Sequence, residues 1–87
     1  MAWTVELDAS AQKALGKIGT SAARRIVKGL REIAELDDPT VRGKPMVGNY
    51  AGFWRYRFGD HRVIARIVEM RLVIVVIAIG HRREVYD

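Results

Sequence analysis

The spacing of apolar side chains changes once along this chain, and that change constrains the fold more than any other feature. Between Ala11 and Ala34 apolar residues recur at helical spacing, whereas from Phe53 they alternate with polar residues in the period of two that is typical of β-strands. The sequence therefore predicts a helical front and a sheet-forming back. With 87 residues and no cysteine, the chain is predicted to form a single domain, residues 1–87, without a disulfide framework.

The front of the chain predicts one strand and two antiparallel helices. Residues 3–7 alternate between apolar and polar, which favours a short strand with one buried face. Asp8 offers an N-cap for the first helix, and Gly19 is expected to end that helix. Thr20 is expected to cap a second helix, which stops before residues 37–39.

The back of the chain predicts a loop followed by three strands. Residues 39–52 contain both prolines and show no clear period, which indicates a surface loop. Gly59-Asp60 lie where a two-residue hairpin turn is expected, and residues 69–70 mark a second reversal. Residues 72–79 are continuously apolar, which predicts a central strand covered on both faces. The predicted order of elements is β-α-α-β-β-β.

The register of the predicted hairpin gathers arginines on one face of the sheet. With Gly59-Asp60 as the turn, Arg57 lies directly opposite Arg62. The predicted arginine face consists of Arg55, Arg57, Arg62 and Arg66. The opposite face, under the helices, consists of Trp54, Tyr56, Phe58, Val63 and Ala65. Like charges directly opposite one another cost a few tenths to about 1 kcal/mol, so a bound phosphate chain would explain the face. A register slip of one residue would exchange the two faces.

The charge distribution also indicates an anionic partner. Residues 1–38 have no net charge, whereas residues 39–87 hold nine basic and four acidic side chains and thus the whole surplus of +5. Such a surplus is typical of proteins that bind nucleic acid, an acidic protein or a membrane surface, and the alternative is a solvated basic surface. The N-terminus has no signal-peptide pattern, and residues 72–79 are far shorter than the roughly 20 residues of a membrane span. A soluble, cytoplasmic protein is expected.

The last residues supply a second cluster with chemical potential. Arg82 can bind a phosphate with two hydrogen bonds, and Tyr86 offers a ring on which a base can stack, although a C-terminal tyrosine is often a core anchor. His81 is the residue suited to move protons near neutral pH. His61 and His81 lie on separate elements with no carboxylate cluster nearby, so no metal site is predicted.

Two segments of the chain, 53–64 and 80–86, resemble the RelE group of the RelE/ParE toxin superfamily. The most specific motifs are the hairpin Gly59-Asp60-His61-Arg62 and the tail Gly80-His81-Arg82-Arg83-Glu84-Val85-Tyr86. The resemblance extends over essentially the whole chain and implies a small α+β domain in which two antiparallel helices pack on one face of a mainly antiparallel sheet. RelE-type toxins cleave messenger RNA, usually in the ribosomal A site, without a metal or other cofactor. The implied partners are the ribosome, messenger RNA and an acidic, partly disordered, RelB-like antitoxin.

The resemblance also implies roles for individual residues. Arg62 matches a family arginine that contacts the scissile phosphate. Arg82 matches an arginine proposed to stabilise charge or assist the leaving group, and Tyr86 matches a tyrosine that stacks on or helps activate the nucleotide. Arg55 lies where a RelE member has one lysine of a basic pair, and Phe53 occupies the position of the other. Because an arginine cannot easily act as a general base, the identity of that base stays open.

The candidate site therefore has a catalytic and a binding part. The candidate catalytic residues are Arg55, Arg62, Arg82, Tyr86 and His81, and the candidate RNA-binding residues are Lys44, Arg57 and Arg83. His81, Tyr86 and Lys44 are the alternatives for proton transfer. Two other functions stay open: a ParE-type inhibitor of DNA gyrase, against which the Arg82 and Tyr86 pair argues, and an inactive basic relative that only binds RNA or protein.

Overall fold

The computed structural model describes residues 3–81 and places two helices against one face of a five-stranded, mainly antiparallel sheet. The elements are β1 (Thr4–Leu7), α1 (Ala9–Lys17), α2 (Thr20–Ala34), β2 (Lys44–Pro45), β3 (Trp54–Phe58), β4 (His61–Val68) and β5 (Val73–His81). The predicted α+β class and the predicted arrangement of helices on one face are confirmed. No helix within residues 3–81 is long and apolar enough to cross a membrane.

The strand order of the sheet is β1-β5-β4-β3-β2. All neighbours are antiparallel except β1 and β5, which run parallel and pair Thr4 with Val73 and Leu7 with Val76. As predicted, β5 is an interior strand with a partner on each side. In the described part of the chain, however, helices cover only one of its faces, and Val75 and Ala78 are partly exposed.

One β-bulge interrupts the pairing of β4 with β5. Ile64 pairs with Ala78, but the next residue, Ala65, pairs with Val76, so Ile77 is an extra residue on β5. A bulge of this kind shifts the alternation of side chains along its strand by one position. From Ile79 onward, the odd-numbered residues of β5 therefore point to the helix side of the sheet.

The helix caps agree with the sequence prediction at α1 and differ at α2. The carboxylate of Asp8 accepts a hydrogen bond from the backbone N–H of Ala11 at 2.8 Å, which confirms it as the N-cap of α1. The prediction that Thr20 caps α2 was wrong, because Gly19 is the N-cap and Thr20 is already helical. The backbone of Gly19 has a φ of 94°, a conformation that lets the chain turn from α1 into α2 within two residues.

The core lies between α2 and the inner face of the sheet. It includes Ile26, Leu30 and Ile33 from α2 and Tyr56, Phe58, Val63 and Ala65 from β3 and β4. The predicted orientation of the hairpin side chains toward the helices is thereby confirmed. Gly29 lies directly against the ring of Phe58, where a Cβ atom would overlap the ring carbons. The absence of a side chain at this position lets α2 pack closely on β3.

The segment 39–52 is more structured than the predicted loop. It contains two short 3₁₀ turns, Pro39–Arg42 and Gly48–Tyr50, with strand β2 between them. β2 pairs with β3 through two residues only, with Lys44 opposite Arg55. A strand of two residues is too short to produce a period in the sequence, so the prediction missed it.

Candidate nucleic-acid interface

The β3–β4 hairpin has the register that the sequence predicted. Gly59 occupies the turn with a φ of 63°, Phe58 pairs with His61, and Arg57 pairs with Arg62. Since side chains alternate along β3 and Phe58 is buried under the helices, Arg57 and its cross-strand partner Arg62 lie on the opposite, outer face. The prediction that arginines share one face of the hairpin is confirmed.

A small pocket on this outer face is lined only by basic side chains, and we call it the cation pocket. Its lining residues are Arg42, Lys44, Arg55, Arg57 and Arg62. Its volume is about 100 Å³, which is room for roughly three water molecules at about 30 Å³ each and hence for one phosphate-sized anion. Five cations without a carboxylate in the lining create a strongly positive potential at this point of the surface.

The arginines of the cation pocket are held by their strand neighbours. Arg55 and Arg62 are half-buried, and the Nη1 atom of Arg62 is inaccessible to solvent. Arg62 lies opposite Gly80 of β5, which has no side chain to compete for the space. Ile64, which pairs with Arg55, is 1% exposed and lies on the same face. Burial beside an apolar side chain restricts these guanidinium groups and strengthens their attraction for an anion.

Arg42 is a pocket residue that the sequence prediction did not include. It follows Pro39 in the first 3₁₀ turn, and its Nη1 atom lies 3.6 Å from Oε1 of Glu32 on α2. Both side chains of this ion pair are about half exposed, so the pair contributes little to stability. The sequence could have indicated Arg42 as a site residue, because it lies two residues before the candidate Lys44 in a loop with few acidic residues.

A buried hydrogen bond connects the 3₁₀ turn to the sheet. The hydroxyl group of Tyr56 donates to the backbone carbonyl of Pro39 at 2.7 Å. Burial, and after it the charge of Asp38, raises the pKa of Tyr56 to about 12. The pKa of Asp38 is lowered because its carboxylate accepts hydrogen bonds from the hydroxyl and the backbone N–H of Thr40.

His81 is not part of the cation pocket. It pairs with His61 across β4 and β5, and the two rings meet edge to face with their centroids 5.8 Å apart. His61 lines a separate small depression together with Arg25 and Asp60 at the start of α2. The histidine pair therefore lies on the helix side of the sheet, because the bulge at Ile77 reverses the alternation before His81.

The remaining predicted residues are Arg66 of the arginine face and three residues of the tail. Arg66 is exposed on the arginine face but does not line the cation pocket. Arg82, Arg83 and Tyr86 lie outside the described residues, so their roles stay predictions. Within residues 3–81, no three histidine, aspartate or glutamate side chains are grouped in a way that could hold a metal ion.

The chemistry available to the cation pocket follows from its residue types. Guanidinium and ammonium groups donate hydrogen bonds to phosphate oxygens and stabilise negative charge. The lining contains no histidine and no carboxylate. The pocket is therefore suited to bind a phosphodiester and to stabilise charge that develops on it, whereas proton transfer would need a further group.

The comparison with protein families decides what kind of protein carries this pocket. A family model described as the ParE toxin of type II toxin-antitoxin systems, parDE, matches residues 5–86. The chain belongs to the RelE/ParE superfamily of type II toxins. The curated toxin RelG of Mycobacterium tuberculosis is 29% identical to this toxin over 99% of the chain and 98% of RelG.

Solved structures support the assignment of the toxin. It is similar to the toxin-antitoxin complex RelBE2 of Mycobacterium tuberculosis, with 28% identity, a TM-score of 0.73, and coverage of 97% of this chain and 95% of that chain. It is also similar to the archaeal RelE-RelB complex of Pyrococcus horikoshii, with 25% identity, a TM-score of 0.73, and coverage of 98% and 100%. The toxin therefore shares its fold with RelE-type toxins and its family model with ParE.

Proposed function

We propose that this toxin is a metal-free, ribosome-dependent endoribonuclease that cleaves translated messenger RNA and so inhibits translation. The observation that carries the proposal is the cation pocket, because five basic side chains line a space for one phosphate on the outer face of the sheet. The relatives named RelG and RelE support the nuclease branch of the superfamily. The residues suited to bind RNA are then Lys44 and Arg57, with Arg83 from the tail.

The proposed reaction is attack of a ribose 2′-hydroxyl on the adjacent phosphate. Negative charge builds on the phosphate oxygens and on the departing 5′-oxygen, and no metal is required. Arg62 and Arg55, held half-buried in the pocket, would stabilise the phosphate charge, a contribution of about 3 to 4 kcal/mol for each well-placed donor. Arg82 would stabilise the leaving oxygen and Tyr86 would stack on the nucleotide.

Proton transfer in this reaction is assigned to a residue outside the arginine set. Lys44 lines the pocket, whereas the ring of His81 contacts His61 on the other side of the sheet. Tyr86 and Lys44 are accordingly the first alternatives for the general base, whereas the strand register places His81 on the helix side of the sheet, away from the cation pocket.

The proposed protein partner is an acidic, partly disordered antitoxin of the RelB kind. Two of the similar solved structures are complexes: RelBE2 is a toxin-antitoxin complex, and the archaeal structure is a RelE-RelB complex. A disordered acidic segment can follow a basic surface over a long distance and gains charge complementarity to this toxin, whose formal charge is +5. The ribosome as a target places the proposed activity in the cytoplasm.

Inhibition of DNA gyrase is the second candidate function, because the family model that matches the chain is the ParE model. A gyrase inhibitor would slow supercoiling of plasmid DNA and leave messenger RNA intact. The two activities are therefore separated by assaying the same preparation for both.

The nuclease proposal is tested in a cell-free translation reaction in which messenger RNA ends are mapped. Cuts are expected within translated codons, only when ribosomes translate, and they should weaken at least tenfold in Arg62→Ala, Arg82→Ala and Tyr86→Ala. Arg24→Ala is the matched control, since Arg24 is an exposed arginine on the helix side. Intact messenger RNA together with undiminished translation would contradict the proposal, and slowed supercoiling in that preparation would support the gyrase alternative.

A further inference from the structure

The segment 39–44 contributes two of the five lining residues of the cation pocket, Arg42 and Lys44, and we call this segment the pocket wall. Arg42 belongs to the 3₁₀ turn Pro39–Arg42, and Lys44 belongs to strand β2, which pairs with β3 through two residues only. Arginine and lysine side chains on such a segment contact an anion well only if the backbone that carries them is fixed. Whatever fixes the pocket wall therefore determines how well these two cations reach an anion.

Besides the pairing of Lys44 with Arg55, a buried contact fixes the pocket wall, and it is made by a core residue whose neighbours line the pocket. Tyr56 lies between Arg55 and Arg57 on β3 and points the opposite way, into the core, where it is 1% exposed. Its hydroxyl group donates a hydrogen bond to the carbonyl of Pro39, the first residue of the pocket wall, at 2.7 Å. This bond is buried, whereas the bonds of Asp38 to Thr40 are exposed. A hydrogen bond in the low-dielectric interior holds its partners more firmly than one in water.

The close approach of Gly43 to Tyr56 is independent evidence that this tyrosine contacts the pocket wall. A Cβ atom on Gly43 would lie 2.9 Å from the ring of Tyr56, which is closer than side chains pack. The pocket wall therefore passes close to the ring of Tyr56 and contacts this side chain at two points, Pro39 near the start of the wall and Gly43 near its end. Between these two points lies Arg42.

We propose that Tyr56 is a positioning residue that holds the pocket wall so that Arg42 and Lys44 contact the bound RNA. The inference rests on the proposed function in taking RNA as the anion. Arg42 is paired with Glu32 through an exposed contact of 3.6 Å, which an incoming phosphate can replace at little cost. Tyr56 keeps the backbone in place while that exchange occurs.

The test measures how a short single-stranded oligoribonucleotide with 2′-O-methyl groups, which cannot be cleaved, binds to the toxin over a range of salt concentrations. Each phosphate of a single strand that a variant no longer neutralises lowers the salt slope by about 0.7. Tyr56→Phe, which removes only the hydroxyl group, is expected to lower the slope by up to about 1.4 and the affinity by about tenfold at low salt. Gly43→Ala displaces the wall from the other side and should have the same effect. Gly16→Ala is the control, because a Cβ atom on Gly16 meets nothing within 4 Å.

A double-mutant cycle separates positioning from general stability. In a background of Arg42→Ala and Lys44→Ala, Tyr56→Phe should change the affinity by less than twofold, because its effect passes through those two cations. A weakening in that background as large as in the wild type would overturn the proposal, and so would unchanged binding in both Tyr56→Phe and Gly43→Ala. If the wild-type toxin itself does not bind the oligoribonucleotide, this inference fails, whereas the proposed function is decided separately by cleavage of messenger RNA in the cell-free translation reaction. Urea unfolding of each variant ensures that only folded protein is compared. If only one of the two variants folds, unchanged binding in that variant overturns the proposal.

Discussion

Replacing Arg57 by threonine should stabilise this toxin while weakening its binding to RNA. Arg57 and Arg62 are directly opposite on β3 and β4, and three more cations share the pocket with them. A directly opposed pair of like charges costs about 0.2 to 1 kcal/mol. Because Arg57 has the like-charged Arg62 as its partner, its removal should raise the free energy of unfolding by about 0.2 to 1 kcal/mol at low salt, or about 1 to 8 °C in melting temperature.

The control for Arg57→Thr is the same substitution at Arg66. Arg66 is exposed on the same face of the sheet, but its partner on β5 is Val75, so only the strand propensity of threonine changes there. Urea unfolding at about 20 mM and about 1 M salt separates the charge effect from that propensity, since 1 M salt reduces the Debye length to about 3 Å. The excess stability of Arg57→Thr over Arg66→Thr should disappear at 1 M salt. An excess that is absent at low salt, or unchanged at high salt, would refute the reasoning.

Three further predictions concern the packing, the pH dependence and the helix cap. Gly29→Ala should lower the free energy of unfolding in urea by about 1 to 2 kcal/mol, because the overlap with Phe58 outweighs the gain in helix propensity. Gly16→Ala, where the new Cβ atom meets nothing, should raise the free energy of unfolding by up to about 1 kcal/mol. A change of the same sign in both variants would contradict the close packing of Gly29 on Phe58. The pKa of Tyr56 is raised to about 12 in the folded toxin, so the contribution of neutral Tyr56 to the free energy of unfolding is complete below about pH 10 and is lost as the pH rises toward 12, by at most about 2 to 3 kcal/mol. Tyr56→Phe should lack this loss when unfolding is measured at alkaline pH. An identical loss in Tyr56→Phe would show that Tyr56 is not its source. Asp8→Ala should cost about 1 kcal/mol of unfolding free energy, and Asp8→Ser should restore most of it.

The sequence was sufficient to predict the register and the exposed faces wherever these depend on residues close together in the chain. Gly59 and Asp60 set the hairpin register, and from that register the faces of Arg57 and Arg62 followed without knowledge of the rest of the sheet. The N-cap at Asp8 and the helical stripes of α1 and α2 depend on neighbours within four residues, which the sequence contains directly. These parts of the fold and of the arginine face could be predicted for that reason.

The N-cap of α2, which is Gly19 and not Thr20, was missed by one residue within a local turn; the other missed features depend on contacts between distant segments. Strand β2 exists because Lys44 and Pro45 meet β3, and two residues carry no period of their own. The position of His81 depends on the bulge at Ile77, which is a property of the β4–β5 pairing. Simple alternation from Ile74 would place His81 on the arginine face, and the one extra residue places it on the other side.

The parallel pairing of β1 with β5 also has a consequence for how the toxin is made. β1 ends at Leu7, yet its partner on β5 begins at Val73, so the sheet joins the first and last parts of the described chain. Contacts this far apart in sequence close slowly and only after the intervening chain exists. During synthesis the helices emerge early, but the strand that lies between β1 and β4 emerges last. The sheet of the toxin therefore cannot be completed until residues 73–81 have been synthesised, and until then β1 lacks its partner strand and the nascent chain has not acquired its final fold.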